Sequence, residues 1–476
     1  MLQLNIRNEL RTIFRNYWLA AITILLFTLG LYAGWNGNNH VAARKANIES
    51  AKAAAKEADE LTAKRLDMLS RGEELDLPTW QYPSAATRTG NFNPRVAAFE
   101  PGNLTLIATG QSDMFNHYVK PTLTGDKFSI AFTELTSPVS LLMGNFDPAF
   151  VLIYLLPLVI ISFSYNILSS EKEQGSLVLI ASSPLSVKVW LLQKILVRYT
   201  VVAVLMTLCM LLMLLVNGAE ITGDSLVFLL VVWLYTAFWF ALAYMVNLRG
   251  WTSAKNAITM LGLWVALVLA VPSLIGQSAN ALYPVPSRTL LINELRTLQA
   301  ELDKEQDKIL DDYLRNHPEL ITQEADESTA YGWWQRYFAS KDLLTDRMQP
   351  LLDNYDNSLK QQQRWVGQLG FLSPAVLMQS NLNHLAGTSS AHYEAYRQSV
   401  LAFNDEWRDF FLPLVFQDKP FTKEHMSQWP EYQFDQAEMS SPVLFNSLLL
   451  LLMVTVLLVA GFTMTSDRKV ERLMQQ

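Results

Sequence analysis

This sequence has little of what a soluble enzyme needs. It holds one cysteine, Cys209, in 476 residues, so no intramolecular disulfide staples its long loops. Charged residues make up 17%, against about a quarter in ordinary soluble domains. No Gly-x-x-x-x-Gly-Lys-Ser/Thr stretch occurs, which excludes a phosphate-cradling loop of that type. The histidines (His40, His117, His317, His384, His392 and His425) make no His-Glu-x-x-His pattern. His384 and His392 lie too far apart for a one-turn ligand pair and have no supporting cysteines, so no metal site is expected. Acidic groups such as Asp311 and Asp312, or Glu324, Asp326 and Glu327, read as solvated helix faces, and no pair stands out as an acid and base. The soluble portions are acidic, and the net charge is −7, which argues against a nucleic-acid partner. The expectation is a non-catalytic chain with no cofactor of its own.

What the sequence does have is apolar residues in blocks. Half of all residues are hydrophobic. They concentrate in Tyr17–Trp35, Pro148–Leu168, Ile195–Val216, Leu226–Val246, Ala257–Gly276 and Val443–Thr463. Each block is near the ~20 residues that cross a bilayer as a helix. The fold class expected is therefore a polytopic α-helical membrane protein with six transmembrane helices. The first block ends in Gly34-Trp35-Asn36-Gly37, with no small-x-small cleavage site, and reads as a retained span rather than a signal peptide. Cys209 reads as a small apolar filler in the third block. Pro157 and Pro272 sit inside spans, where proline removes a helix hydrogen bond; hinges and tolerated kinks are both open. The blocks hold almost no ionisable residues, which weakens an ion-coupled carrier.

Charge placement gives orientation. Arg7, Arg11 and Arg15, then Lys172, Lys188, Lys194 and Arg198, then Arg249 and Lys255, then Arg468, Lys469 and Arg472 fall on one side. The short loop 217–225 carries Glu220 and Asp224 and no basic residue. The positive-inside rule places both termini in the cytoplasm, with segments 36–147 and 277–442 outside.

In chain order, residues 1–16 form an amphipathic helix with Leu2, Ile6, Leu10 and Ile13 on one face and the three arginines on another, suited to the interface. Residues 41–71 are Ala-, Lys- and Glu-rich and helical, with Gly72 as the stop. Residues 76–140 read as loops with short strands, among them Leu104–Ile107 and Phe128–Phe132. In the second long segment Leu291, Leu295, Leu298, Leu302, Ile309 and Tyr313 follow a near-heptad with Gln306 as its polar gap. Such a helix needs a partner: helix 41–71 or its own copy in a second subunit. Trp333, Trp334, Tyr337, Phe338, Trp365, Trp407, Phe410 and Phe411 read first as the core of a helical domain. The expected extramembrane domain is thus mainly helical, with some short strands, and built from both long segments.

On the cytoplasmic side the short loops 169–194 and 247–256 are where a partner can touch the chain. After the second block comes Ser169-Ser170-Glu171-Lys172-Glu173-Gln174-Gly175-Ser176-Leu177. The glycine can end a helix, and the charges offer handles at the membrane surface. Six spans, both ends inside, a basic amphipathic first helix and this Glu-x-Glu-x-Gly segment resemble the ABC-2 type permeases of bacterial ABC transporters. Gly144-Asn145-Phe146-Asp147-Pro148-Ala149-Phe150, Leu372-Ser373-Pro374-Ala375 and Leu385-Ala386-Gly387-Thr388 are similar to the branch with a large periplasmic domain of unknown function. The resemblance implies half of a dimeric pathway, paired with an identical or related permease. It also implies a separate ABC ATPase subunit that binds the ATP. Glu171, Glu173, Gly175 and Ser176 would couple to that ATPase, with Pro184 and Lys188 further along. Ser176 stands where threonine is common. Arg249, Trp251 and Lys255 are a second candidate contact. The implied place is a bacterial inner membrane and the implied role is export; the alternatives are a transmission device that drives a periplasmic or envelope partner without passing solute, and a motor-free envelope enzyme or sensor.

Overall fold

The structure is a computed structural model of the whole chain. It describes residues 2–109, 116–125, 146–181, 186–321, 332–434 and 441–464; Pro184, the predicted strand 128–132 and the 468–472 basic cluster lie outside them. Among the described residues six helices are long and apolar enough to cross a membrane. The chain is therefore an α-helical, multi-pass membrane protein.

A short helix α1 (Leu2–Arg15) turns at Asn16, whose side chain caps the next helix through Trp18 N at 3.1 Å. That helix, α2 (Tyr17–Ser70), is continuous over 54 residues. The sequence suggested a span to Trp35 and a separate helix from residue 41. Asn36-Gly37-Asn38-Asn39 continues as helix instead, because buried packing outweighs weak local propensity. At 1.5 Å per residue α2 is about 80 Å long, of which a membrane needs only ~30 Å. Exposed Tyr17 and Trp18 at one end, and Tyr32 and Trp35 about 25 Å on, mark the two interfaces where aromatic residues gather. The rest of α2 projects into a large lobe, ends at Arg71 and turns through Gly72 at φ +78.

The other spans are α4 (Pro148–Glu173), α6 (Val187–Val216), α7 (Gly223–Asn247), α8 (Ser253–Leu282) and α15 (Val443–Met464). Between α4 and α6 lies a one-turn helix α5 (Leu177–Ala181). α7 is central: Phe228, Tyr235, Trp239, Phe240 and Tyr244 are fully buried against α4, α6 and α15. Lipid is as apolar as leucine, so close fit rather than hydrophobicity specifies these contacts. α2 meets α6 through Gly30, Ala33 and Gly34. A Cβ on Gly34 would stand 2.1 Å from Met213 Cγ, and one on Gly30 2.8 Å from Cys209 Sγ. Cys209 is indeed buried filler.

The lobe holds α3 (Ala86–Phe92), α9 (Arg288–Leu302), α10 (Gln306–Asn316), α11 (Trp333–Leu369), α12 (Pro374–Leu385), α13 (Ser390–Phe416) and α14 (Lys423–Gln428). Its strand content among the described residues is one antiparallel pair, β1 (Ala97–Ala98) and β2 (Tyr118–Val119). Leu104–Ile107 is a 3₁₀ turn, not a strand. The near-heptad breaks at residues 303–305 into α9 and α10, and both pack on α11. Within the chain the partner is thus another helix of the same segment rather than helix 41–71. Phe338, Trp407 and Phe411 form the core as expected, while Trp333 is exposed. Trp407 Nε1 donates to Gly90 O at 3.0 Å, and Arg397 bonds Asp356 at 2.5 Å, tying α13 to α3 and α11.

Candidate functional site

The end of the bundle away from the lobe, here the basal end, gathers charge that the spans lack. α4 opens into turns at 165–168. Its freed backbone groups are taken by fully buried amides. Asn247 Nδ2 donates to Ser164 O at 2.8 Å and its Oδ1 accepts from Leu168 N at 3.2 Å; Asn256 donates to Tyr165 O at 3.1 Å. This fixes the short helical turn that follows, Ser169–Glu173, which ends at Gly175 with φ +76. That φ is disfavoured for residues with a Cβ, so the glycine does end the turn as its position suggested.

Glu171 faces inward. It accepts from Lys194 at 3.0 Å and from the Ser176 hydroxyl. Lys194 reaches Glu9 of α1 at 3.4 Å, and Glu9 pairs with Arg198 at 2.5 Å. Arg198 also donates to Phe163 O on α4. Two acids and two bases thus join α1, α4 and α6 in one network. Glu9 and Arg198 are buried, a costly placement that is tolerable only because each charge is paired and hydrogen-bonded. Glu173 faces the other way. Its carboxylate accepts from Ser253 N at 2.8 Å and Ser253 Oγ at 2.9 Å, at the N-terminus of α8, where free N–H groups and the helix dipole favour an anion. The segment is therefore wired on one side to α1 and α6 and on the other to α8.

The structure brings Glu171, Glu173, Gly175 and Ser176 together as the sequence suggested. The second loop abuts them: Arg249 and Lys255 are exposed, and Lys255 lies 4.3 Å from the Trp251 ring centroid. Lys188 is different. It is buried in the first turn of α6 and donates to Phe462 O at 3.2 Å. The reason is that α6 starts at Val187, eight residues before the apolar block at Ile195. Sequence reasoning missed Glu9, Asn247, Ser253 and Asn256. Only Glu9 left a signal: it is an acid on the apolar side of a basic helix, near Ile6 and Ile13.

The other motif stretches meet at the junction of bundle and lobe. Asp147 caps α4 by accepting from Phe150 N at 2.9 Å, and its second oxygen accepts from Thr109 N at 3.0 Å. Ser373 caps α12. Thr388 Oγ1 donates to Ala108 O and Thr105 Oγ1 to Ala386 O, each at 2.8 Å. His384 and His392 are brought side by side, ring centroids 4.7 Å apart, beside a cavity of about 400 Å³. Burial and the neighbouring His384 push His392 down to about 4. Ser389 bonds His392 Nδ1 at 2.6 Å, but Thr422 and His425 repeat this pairing at another helix start, so it is a cap rather than a nucleophile and base. Among the described residues no group of three or more His, Cys, Asp or Glu could hold a metal ion.

The fold and these two sites define a class: a multi-pass helical membrane protein whose bundle is charge-wired at one end and stitched to a lobe at the other. Residues 288–435, from α9 to just beyond α14, match a domain of unknown function (DUF3526). No curated protein and no solved structure matches.

Proposed function

We propose that this chain is the permease subunit of an ATP-driven ABC-2 type transporter in a bacterial inner membrane. A separate ATPase docks on segments 169–194 and 247–256, and a second permease, identical or related, completes the pathway. The observation that carries the reading is the Glu171–Glu173 segment. It is short, surface-facing and tied by ion pairs and caps to three other helices of the bundle, so a push there reaches α1, α6 and α8 together. Gln174, Gly175, Val178, Arg249 and Lys255 are exposed around it and offer a partner both charge and an apolar contact. In this arrangement the lobe is periplasmic, both termini are cytoplasmic, and the ATP is bound by the partner.

A second reading, transmission to a periplasmic or envelope partner without solute passing the spans, draws support from one feature. α2 runs as a single helix of 54 residues from the bundle into the lobe, long enough to carry movement there.

The test is gentle extraction of the tagged protein followed by mass spectrometry of what accompanies it. A stoichiometric P-loop ATPase that is lost from the Glu171→Ala/Glu173→Ala variant, with the variant still inserted, is the expected result. No ATPase across several mild detergents overturns both readings and leaves a motor-free envelope protein.

A further inference from the structure

α4 and α8 carry the same local construction. In α4 a π turn, Val151–Leu155, runs into Pro157; in α8 a π turn, Val265–Ala270, runs into Pro272. The last amides of each turn bond five residues back, Leu156 N to Val151 O and Val271 N to Ala266 O. Such turns are rare and mark places where a helix bends or changes register. Each proline then has no N–H to continue the ladder. A carbonyl left without a donor in a membrane interior is costly.

At each proline a carbonyl in the gap of the ladder is met by a hydroxyl from a different element. The Tyr235 hydroxyl of α7, fully buried, donates to Ile153 O at 3.0 Å. Ile153 is four residues before Pro157 and next to Leu152, the carbonyl that the five-back spacing at Leu156 would pair with position 157. The Ser373 hydroxyl donates to Leu267 O at 2.5 Å. Leu267 is five residues before Pro272, the spacing the π ladder has at that point. Ser373 is also the cap of α12, accepting from Val376 N at 3.3 Å. α12 packs against both π turns and against α7 and α15. Its C-terminal end is pinned through Ala386 and Thr388, which bond Thr105 and Ala108, and the two long lobe helices, α11 and α13, lead into and out of it.

We propose that α12 is a cross-bar shared by two proline hinges: the Tyr235 and Ser373 hydroxyls latch the hinge turns of α4 and α8, and bending at either hinge moves α12 and, through α11 and α13, the lobe. Such a device couples bundle to lobe whether or not an ATPase drives the bundle.

Two double-mutant cycles on the full-length protein in nanodiscs test it, read by hydrogen exchange of peptides covering 148–164, 374–389 and the start of α13. Alanine at 157 supplies an N–H within the gap and lets the turn close on backbone alone, so the latch becomes redundant. In the natural background Tyr235→Phe is expected to raise exchange roughly tenfold, together in all three peptides, as loss of one buried hydrogen bond does. In the Pro157→Ala background the same change gives less than about twofold. Ser373→Ala with Pro272→Ala follows the same pattern, and the cycle subtracts the lost cap. Equal effects of Tyr235→Phe in both backgrounds mean that the hydroxyl merely packs. An effect confined to 148–164 means that nothing is passed to α12. Either result overturns the proposal.

Discussion

The Glu9 network sets a sharp expectation. Glu9→Leu removes one of two acids and leaves Arg198 and Lys194, both largely buried, sharing Glu171 and the Phe163 carbonyl. Two unit charges 4 Å apart attract by about 4 kcal/mol at an effective dielectric of ~20, and Glu9 makes two contacts shorter than that. Desolvation of the pair offsets much of this attraction, so the measurable quantity is the cost of leaving a buried charge unpaired, about 3–5 kcal/mol. Unfolding entropy near 2.1 cal/mol/K per residue gives about 1 kcal/mol/K for 476 residues, hence a fall in Tm of about 3–5 °C. Glu9→Leu/Arg198→Met removes both members of the closest pair and should recover most of that loss. Intrinsic fluorescence during a slow thermal ramp, at one fixed scan rate because such unfolding is often irreversible, gives the comparison. A Glu9→Leu protein at the parental Tm, or a double variant no better than the single, refutes the argument that pairing is what makes these charges tolerable.

Other expectations are narrower. Gly34→Val drives a side chain into Met213 and should destabilise the α2–α6 contact by about 1–3 kcal/mol, the usual overpacking cost; Gly262→Val, where nothing lies within 4 Å, is the silent control in the same melting assay. Glu173→Ala removes the cap on α8 at Ser253 and should lower stability by about 1 kcal/mol, while Glu173→Gln, which keeps an acceptor, should cost less. His392 is held down to about 4 from 6.5, so the unfolded chain takes up a proton that the folded one refuses. Stability should be level above about pH 6.5 and fall as pH drops toward about 4, and in His392→Asn the slope of Tm against pH over that window should be shallower.

Much of the architecture is legible in the sequence because a bilayer is an exacting solvent. Apolar blocks of crossing length announce the six spans, since every backbone group inside must be bonded within a helix. The Glu171–Ser176 turn is legible for a local reason: charges and a glycine between two apolar runs leave the chain one place to turn. Helix boundaries beyond the membrane are less visible. Apolarity marks where lipid begins, not where helix ends, and so α2 runs unbroken past Trp35 while α6 starts well before Ile195. The heptad of residues 291–313 gives a stripe that needs a partner but not the partner's identity, because an apolar stripe fits any other of matching period.

The contacts that make the basal end a unit belong to tertiary structure alone. Glu9 and Arg198 are 189 positions apart in sequence and 2.5 Å apart in space; no periodicity encodes that distance. The same holds for the hydroxyls of Tyr235 and Ser373. Each proline announces that a carbonyl will go without its helical donor, and the sequence by itself determines that much. Which side chain supplies the missing donor depends on how the helices cross, and close packing of the folded bundle decides it.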